Sequence, residues 1–355
     1  MENSWQNCKN ILVVRLDNMG DLLMTTPAIR ALKETFNSQI TVLTSSMAAG
    51  MARNIPEIDE IITFDVPWVK SQHTSFSHEF WVLAEVLKVR NFDATVIFTV
   101  FSQNPMPAIM LTYLADIPKR LAYCRENPYE LLTNWIPDEE PYTLIKHQVQ
   151  RDLDLVATIG ATTSNDFLSL EIPDAWDSVQ KKLVKNWIDL QKPWLILHPG
   201  VSEIKRQYPT EKWIELGKRL VKDLNYQLLL TGSASEKTLT DEIQQGIGTN
   251  AFAIAGLLSL DEFICLIKEA SLLISVNTGP VHIAAATQTP VVVLYAQTNP
   301  QHTPWKTRNK VLYFEVPEVL QSKNEVLKFV QQQQEKAPSV VDVEDVLNAA
   351  SALLF

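Results

Sequence analysis

Short runs of aliphatic residues alternate with stretches of helical periodicity along most of this chain. The runs lie at residues 11–14, 40–43, 61–64, 95–98, 194–197, 227–230, 272–274 and 291–295. Each has the length and composition of a buried strand. Alternation of such strands with helices is typical of parallel sheets covered by helices. The sequence therefore predicts an α/β fold with doubly wound parallel sheets.

The chain of 355 residues exceeds the comfortable size of a single domain. A polar stretch at 161–166, followed by Ile-Pro-Asp at 172–174, separates two sets of strands. We therefore predict an N-terminal domain of residues 1–170 and a C-terminal domain of residues 171–355. Each domain is expected to be Rossmann-like, with the two facing each other across a cleft. Apolar periodicity over 342–354 predicts a last helix, which could pack back on the N-terminal domain.

Charge and cysteine content exclude several classes of protein. The formal net charge of −10, from 31 basic and 41 acidic residues, argues against a general nucleic-acid binder. Cys8, Cys124 and Cys265 lack metal-ligand spacing, and His73 and His78 have no carboxylate at such spacing, so no metal site is predicted. No signal peptide or apolar run near the ~18 residues of a membrane span is present. We expect a cytoplasmic protein.

The segment 275–286 combines the end of an aliphatic run, a polar turn and a helix start. Pro280 suits the first helical turn, with Asn277 or Thr278 as the N-cap. The N–H groups of such a turn and the positive end of the helix dipole can bind a phosphate, which His282 would also face. An ordinary strand-to-helix turn fits the same pattern.

The first aliphatic run leads into a polar loop, 15–21, at the end of a strand where α/β sheets place ligands. The loop has no G-x-G-x-x-G pattern, so dinucleotide binding is poorly supported. Asp21 could be a helix N-cap. Alternatively, it could be a general base in the cleft, its pKa set by burial and by Arg15.

Two further strand ends in the second half carry polar residues. After the His-Pro-Gly of 198–200 come Lys205 and Arg206, a pair suited to a diphosphate or simply to a solvated loop. Glu236 follows Gly232 and could accept hydrogen bonds from ribose hydroxyls or favour a helix N-terminus. Nucleophile-elbow, P-loop and zincin motifs are absent.

Taken together, these blocks resemble glycosyltransferase family 9, the family of the lipopolysaccharide heptosyltransferases. The matching segments, in the family's order, are 15–21, 26–28, 147–151, 198–200, 205–209, Gly232 with Glu236, 277–286, 295–300 and 303–305. The ordered set is specific, although no single block is. The resemblance implies a GT-B fold, with an acceptor-binding N-terminal domain, a nucleotide-sugar-binding C-terminal domain, no cofactor and no obligatory metal.

The resemblance also implies a reaction and its residues. Family members transfer a sugar with inversion, usually heptose from ADP-heptose, to a lipopolysaccharide-type or other cell-envelope glycan, and Asp21 matches the general base. A glycolipid acceptor would bring the enzyme into at most peripheral contact with the inner face of the inner membrane. The expected donor contacts are Lys205, Arg206, Glu236, Asn277, Thr278, Gly279 and His282, and the expected acceptor contacts are Arg15, Gly20 and Arg120.

The chain departs from the family pattern at the donor side. Asn277 stands where the family commonly has Asp, and residues 295–298 read Tyr-Ala-Gln-Thr where Phe-Gly-Pro-Thr is common. Asn keeps the capping ability of Asp but removes one negative charge. Residue type favours Lys205 as the phosphate-binding cation, whereas the spacing to Tyr208 favours Arg206.

Two other functions fit the same scaffold, because a fold does not determine an activity. The first alternative is a catalytically silent nucleotide-sugar or glycan-binding protein. The second is a sugar epimerase, which would isomerise the donor without an acceptor.

Overall fold

The computed structural model describes residues 4–69 and 76–355, so His73 lies outside the described residues. The chain divides into two compact units, Met1–Glu171 and Ile172–Phe355. Within the described residues, no helix combines the length and apolar character needed to cross a membrane.

The first unit contains a six-stranded parallel sheet with the order β3-β2-β1-β4-β5-β6. Its strands are β1 Asn10–Val14, β2 Gln39–Thr44, β3 Glu60–Thr63, β4 Ala94–Ile97, β5 Arg120–Cys124 and β6 Asn134–Pro137. Its helices are α1 Met19–Phe36, α2 Ser46–Ala52, α3 Ser77–Val89, α4 Met106–Leu114 and α5 Gln148–Ala157.

The second unit contains another six-stranded parallel sheet, with the order β12-β11-β10-β7-β8-β9. Its strands are β7 Trp194–His198, β8 Gln227–Leu230, β9 Ala251–Ala253, β10 Leu273–Val276, β11 Val291–Ala296 and β12 Asn309–Phe314. Its helices are α6 Trp176–Lys185, α7 Thr210–Leu224, α8 Lys237–Ile247, α9 Leu260–Glu269, α10 Gly279–Thr287, α11 Glu325–Gln333 and α12 Val343–Leu354.

The two sheets share one topology. Counted from its own first strand, each runs 3-2-1-4-5-6, and the central strands are buried along almost their whole length. In this order the connections diverge between the first and fourth strands, and α/β proteins bind ligands at the carboxyl ends of those strands. The switch points therefore lie between β1 and β4 in the first unit and between β7 and β10 in the second.

Helix α1 continues through a proline. It begins at Met19, and Pro27 lies inside it. A proline there leaves the carbonyl four residues earlier without its helical donor. The Thr26 hydroxyl takes that place, donating to the Leu23 oxygen at 2.7 Å, which allows the helix to continue.

The polar stretch that ends the first unit is bound to α1. Ser169 N–H donates to Thr26 Oγ1 at 2.8 Å, and the Arg30 guanidinium donates to the main-chain oxygens of Asn165 and Phe167 at 2.6 and 2.9 Å. Arg30 also pairs with Glu57 at 2.8 Å. We call residues 165–169 the strap, because they are held along the helix by these bonds.

The last helix packs within the second unit. Helix α12 lies against α7, β11 and β12, and Val346 and Ala350 are fully buried in that unit's core. Its apolar face is therefore covered by the core of the second unit. Asp342 is its N-cap and accepts a hydrogen bond from Glu344 N–H at 3.3 Å.

Candidate active site

Arg15 lies fully buried just beyond the end of β1. Its Nε is 3.2 Å from Asp17 Oδ2, and its Nη2 is 3.3 Å from Asp21 Oδ1. Burial acts to lower the pKa of this guanidinium, but the charges of Asp17, Asp152 and Asp21 outweigh burial and raise it. Arg15 therefore stays charged and acts on these carboxyl groups.

Asp17 connects the two strands at the first switch point. The side-chain amide of Gln103, which follows β4, donates to Asp17 Oδ1. Burial raises the pKa of Asp17 to about 6, while Arg15 opposes the shift and Asp21 adds to it. The loop after β1 is thus fixed from both sides.

Asp21 belongs to the first turn of α1. The N-cap of this helix is Asn18, so the interpretation of Asp21 as the N-cap is wrong, and Gly20 is buried in the same turn. Asp21 Oδ2 accepts a hydrogen bond from Asn18 N–H at 3.3 Å, while Oδ1 faces Arg15. The side chain is 11% exposed. A carboxylate oriented this way at the ligand edge can accept a proton from a bound hydroxyl.

The chain forms the predicted strand-to-helix turn directly after β10. Helix α10 begins at Gly279 with Thr278 as its N-cap, and Pro280 is the second helical residue, where a missing N–H costs nothing. First-turn N–H groups have no partner within their own helix, and the helix dipole adds positive charge. This geometry suits an anion at the carboxyl edge of the sheet.

Asn277 joins the ends of β10 and β11 through its side-chain amide. Its Oδ1 accepts from Ala296 N–H at 3.2 Å, and its Nδ2 donates to Thr298 Oγ1 at 3.1 Å and to the Ala296 oxygen at 3.4 Å. A backbone N–H can only donate, so it determines the orientation of the amide. A carboxylate would instead place its second oxygen against the Ala296 carbonyl, so the neutral amide matches this position.

Arg206 is tied directly to this turn. Its Nη1 donates to the main-chain oxygen of Asn277 at 3.0 Å, and its Nη2 lies 3.1 Å from Glu203 Oε2. Lys205 Nζ lies 3.4 Å from the same Glu203 oxygen. Both cations are therefore gathered at the switch point of the second sheet, with Glu203 between them.

His198 ends β7 as a buried, neutral side chain. Its Nδ1 lies 2.9 Å from Thr231 Oγ1, which follows β8. Burial lowers the pKa of His198 to about 4, and the charge of Glu236 only partly opposes the shift. The imidazole is therefore uncharged at neutral pH and joins two strand ends.

Glu236 lies against the backbone of Gly200. A Cβ at position 200 would fall 2.2 Å from Glu236 Oε1, so only glycine leaves room for the carboxylate. Glu236 Oε2 accepts from Ser233 N–H at 2.6 Å and from Ser233 Oγ at 2.9 Å. Glu236 thus caps its own turn, as one interpretation predicted, and is held at the carboxyl edge of the sheet.

A sequence model of glycosyltransferase family 9 (heptosyltransferase) matches residues 81–332. The chain belongs to glycosyltransferase family 9. It is 26% identical over 309 residues to lipopolysaccharide heptosyltransferase 2 of Escherichia coli K12, covering 83% of this chain and 84% of that protein.

Solved structures establish the fold of this family 9 glycosyltransferase as GT-B. A family 9 glycosyl transferase from Veillonella parvula matches with a TM-score of 0.79 at 22% identity, over 100% of this chain and 98% of that one. E. coli ADP-heptose lipopolysaccharide heptosyltransferase II matches with a TM-score of 0.71 at 21% identity, over 97% and 98%. The predicted family and fold class are confirmed.

Arg120 is not brought together with the other predicted acceptor residues of this glycosyltransferase. It begins β5, at the amino end of a strand, whereas Arg15 and Gly20 lie beyond the carboxyl end of β1. Its side chain donates to the main-chain oxygens of Ile117, Glu130 and Leu131. The guanidinium is therefore occupied in holding the 129–131 turn.

Sequence reasoning left several side chains of the family 9 site without a role. Asp17 and Glu203 lie beside residues that it singled out, and Asp152 directly follows the 147–151 block. His302 lies between two matching blocks, and its ring meets that of His282 edge-on with the centroids 6.4 Å apart. The sequence signal that could have identified these residues is their position next to a segment that matches the family. Among the described residues, no three His, Cys, Asp or Glu side chains are grouped to hold a metal.

Proposed function

We propose that this family 9 glycosyltransferase is an inverting heptosyltransferase that moves heptose from ADP-heptose to a lipopolysaccharide-type glycan. One observation carries the proposal. The two sheets have equivalent switch points, and Asp21 supplies a carboxylate at the first, whereas the second has a helix N-terminus suited to an anion. The names of the E. coli relatives support the choice of donor and acceptor.

In the proposed reaction the first unit binds the acceptor, and Asp21 accepts the proton of the attacking hydroxyl. The hydroxyl oxygen forms a bond to the anomeric carbon of heptose while the bond from that carbon to the diphosphate oxygen breaks. ADP leaves with the electron pair of that bond. Attack on the face opposite ADP inverts the anomeric configuration, through an oxocarbenium-like transition state.

The second unit binds the donor in this proposal. The N-terminus of α10, from Thr278 and Gly279 to His282, faces the diphosphate, and the cations of Lys205 and Arg206 offset the charge that builds on departing ADP. Glu236 accepts hydrogen bonds from the ribose hydroxyls. Asn277 and Arg206 keep the turn in its shape through their hydrogen bonds.

A lipid-bearing glycan would also determine where the enzyme works. We place the protein in the cytoplasm, in peripheral contact with the inner face of the inner membrane while it meets its acceptor.

The proposal is tested by isothermal titration with ADP-, GDP-, UDP- and TDP-sugars, followed by transfer assays with a heptose-deficient glycan. We expect preferential binding of the adenine series, and a product whose NMR coupling shows an inverted anomeric centre. Preference for another base would remove the heptosyltransferase assignment. Tight ADP-sugar binding without turnover on any acceptor would instead favour a silent binding protein.

Asn277→Asp is expected to weaken ADP-heptose binding about tenfold, which corresponds to a loss of about 1–2 kcal/mol in binding free energy. The second carboxylate oxygen would face the Ala296 carbonyl oxygen, and the new charge would lie beside the diphosphate. Titration calorimetry measures the change. The matched control is Thr298→Val, which removes one partner of the amide without adding charge and should cost less. Tighter binding by Asn277→Asp would show that the family's carboxylate is preferred here too.

Gly200→Ala is expected to weaken ADP-heptose binding about tenfold while changing the free energy of unfolding by less than about 1 kcal/mol. The added methyl group would occupy the place of the Glu236 carboxylate, a flexible group that can move away. Calorimetry and urea unfolding measure the two quantities. If displaced Glu236 is the cause, adding Glu236→Ala to the glycine variant produces no further loss. Two independent, additive losses would contradict the explanation.

A further inference from the structure

Helix α5 supplies a buried carboxyl group to the region that carries Asp21. Asp152 is 2% exposed and follows the 147–151 block, which the donor and acceptor assignments do not use. Its Oδ1 accepts from Gln148 Nε2 at 2.7 Å, and its Oδ2 lies 2.8 Å from Thr25 Oγ1 on α1. Gln148 Nε2 is also 3.3 Å from the Thr99 oxygen, which confirms that the amide nitrogen faces Asp152.

Thr25 links Asp152 to the main chain of Asp21. The Thr25 hydroxyl lies 3.0 Å from the Asp21 main-chain oxygen as well as 2.8 Å from Asp152. A hydroxyl carries one proton, so it cannot donate to both at once. When Asp152 is ionised, Thr25 donates to Asp152. When Asp152 is protonated, Asp152 donates to Thr25, whose proton then turns to the Asp21 oxygen.

Two cations from different elements face Asp152. Arg15, at the end of β1, pairs with Asp17 and Asp21 at 3.2 and 3.3 Å, and its charge also favours the ionised form of Asp152. The other cation that faces Asp152 is Arg151 of the same helix, which is paired with Asp138 and Glu140. An ionised Asp152 therefore adds a negative charge to the buried group that already contains Asp17 and Asp21.

We propose that Asp152 is a positioning residue for Asp21: Thr25 links its carboxylate to the turn that carries Asp21, and the negative charge held there leaves Asp21 more basic. The inference rests on the proposed role of Asp21 as the general base. A carboxylate that lies near a second negative charge takes a proton from a hydroxyl more readily. Burial raises the pKa of Asp152 to about 6, with Arg15 the strongest opposing group, so Asp152 is mainly ionised above that pH.

Asp152→Asn tests the charge without removing the hydrogen bonds. The new amide oxygen can accept from Gln148, and the amide nitrogen can donate to Thr25. We expect the acid limb of the kcat/KM profile to move to lower pH by about one unit, with the plateau several-fold lower. The matched control is Asp154→Asn on the same helix, whose carboxylate pairs with Lys146 in a half-exposed position, and whose profile should match wild type. An unshifted profile for Asp152→Asn would overturn the proposal.

Thermal unfolding against pH gives a readout that needs no activity. Because the pKa of Asp152 is raised in the folded protein, its protonated form stabilises the fold at acid pH, and this contribution is lost as pH rises through about 6. The Tm of Asp152→Asn relative to wild type should therefore increase from pH 5 to pH 8. If this difference appears without sugar transfer by wild type, the proposed function fails but the ionisation of Asp152 stands. If transfer is robust but the Tm difference is flat, the Asp152 inference fails alone.

Discussion

Asp21→Asn is expected to lower the kcat of sugar transfer about 100-fold or more, the contribution that a general base typically makes. The amide has no basic oxygen for the proton of the attacking hydroxyl, yet its oxygen can still accept from Asn18 N–H. The loss should therefore appear in kcat, and donor binding should be unaffected. Single-turnover kinetics with a saturating donor measures it.

Two control measurements decide how an Asp21→Asn result is interpreted. The Kd for the donor should stay near the wild-type value, because the proposed donor contacts belong to the second unit, whereas the Tm should fall, because buried Arg15 loses the Asp21 carboxylate as a partner. Activity within about tenfold of wild type would exclude Asp21 as the base. In that case Asp17, which shares Arg15, would be the next carboxylate to test.

Arg151→Met is expected to destabilise the protein by about 3–5 kcal/mol, the cost of removing one partner from a buried ion pair. Arg151 donates to both oxygens of Asp138 at 2.8 and 2.9 Å and to Glu140 Oε2 at 2.5 Å, and all three side chains are buried. The guanidinium also lies over the Tyr123 ring, 4.4 Å from its centroid. Methionine fills part of the volume but removes the guanidinium from the buried carboxylates of Asp138 and Glu140. Urea unfolding at pH 7 measures the loss.

The matched control for this change is Arg219→Met on α7. Arg219 also pairs with two acids, Asp223 and Glu344, but its side chain is 43% exposed. Exposed ion pairs contribute about 0–1 kcal/mol, so this variant should unfold almost as wild type does. Similar losses for the two variants would show that burial of the Arg151 cluster adds nothing.

The strands that sequence predicts best are those buried on both faces. All eight aliphatic runs coincide with observed strands, since a parallel strand under helices is apolar along its length. The four strands that were missed are β5, β6, β9 and β12, and three of these are edge strands. β9 has three residues, and in β12 only Phe314 is buried. β9 is too short to stand out in the sequence, whereas β12 does contain four consecutive apolar residues, at 311–314.

The candidate site was predictable where it depends on strand ends and unpredictable where it depends on packing. Asp21 and Asn277 follow aliphatic runs, and the carboxyl ends of parallel strands share one edge of a sheet. Asp152 and Thr25 are 127 positions apart, and only the packing of α5 on α1 brings them together. The hydrogen bonds of Arg120 depend likewise on where a turn ten residues away places its carbonyl groups.

The strap at residues 165–169 has a mechanical consequence. The chain crosses into the second unit at Ile172, immediately after a stretch whose polar composition resembles a loose tether. Its bonds to Thr26 and Arg30 make it an anchorage instead, and both residues belong to the helix whose first turn carries Asp21. The chain that leaves the strap toward the second unit is therefore fixed to α1, so a displacement of its first residues would act on the helix that also orients Asp21.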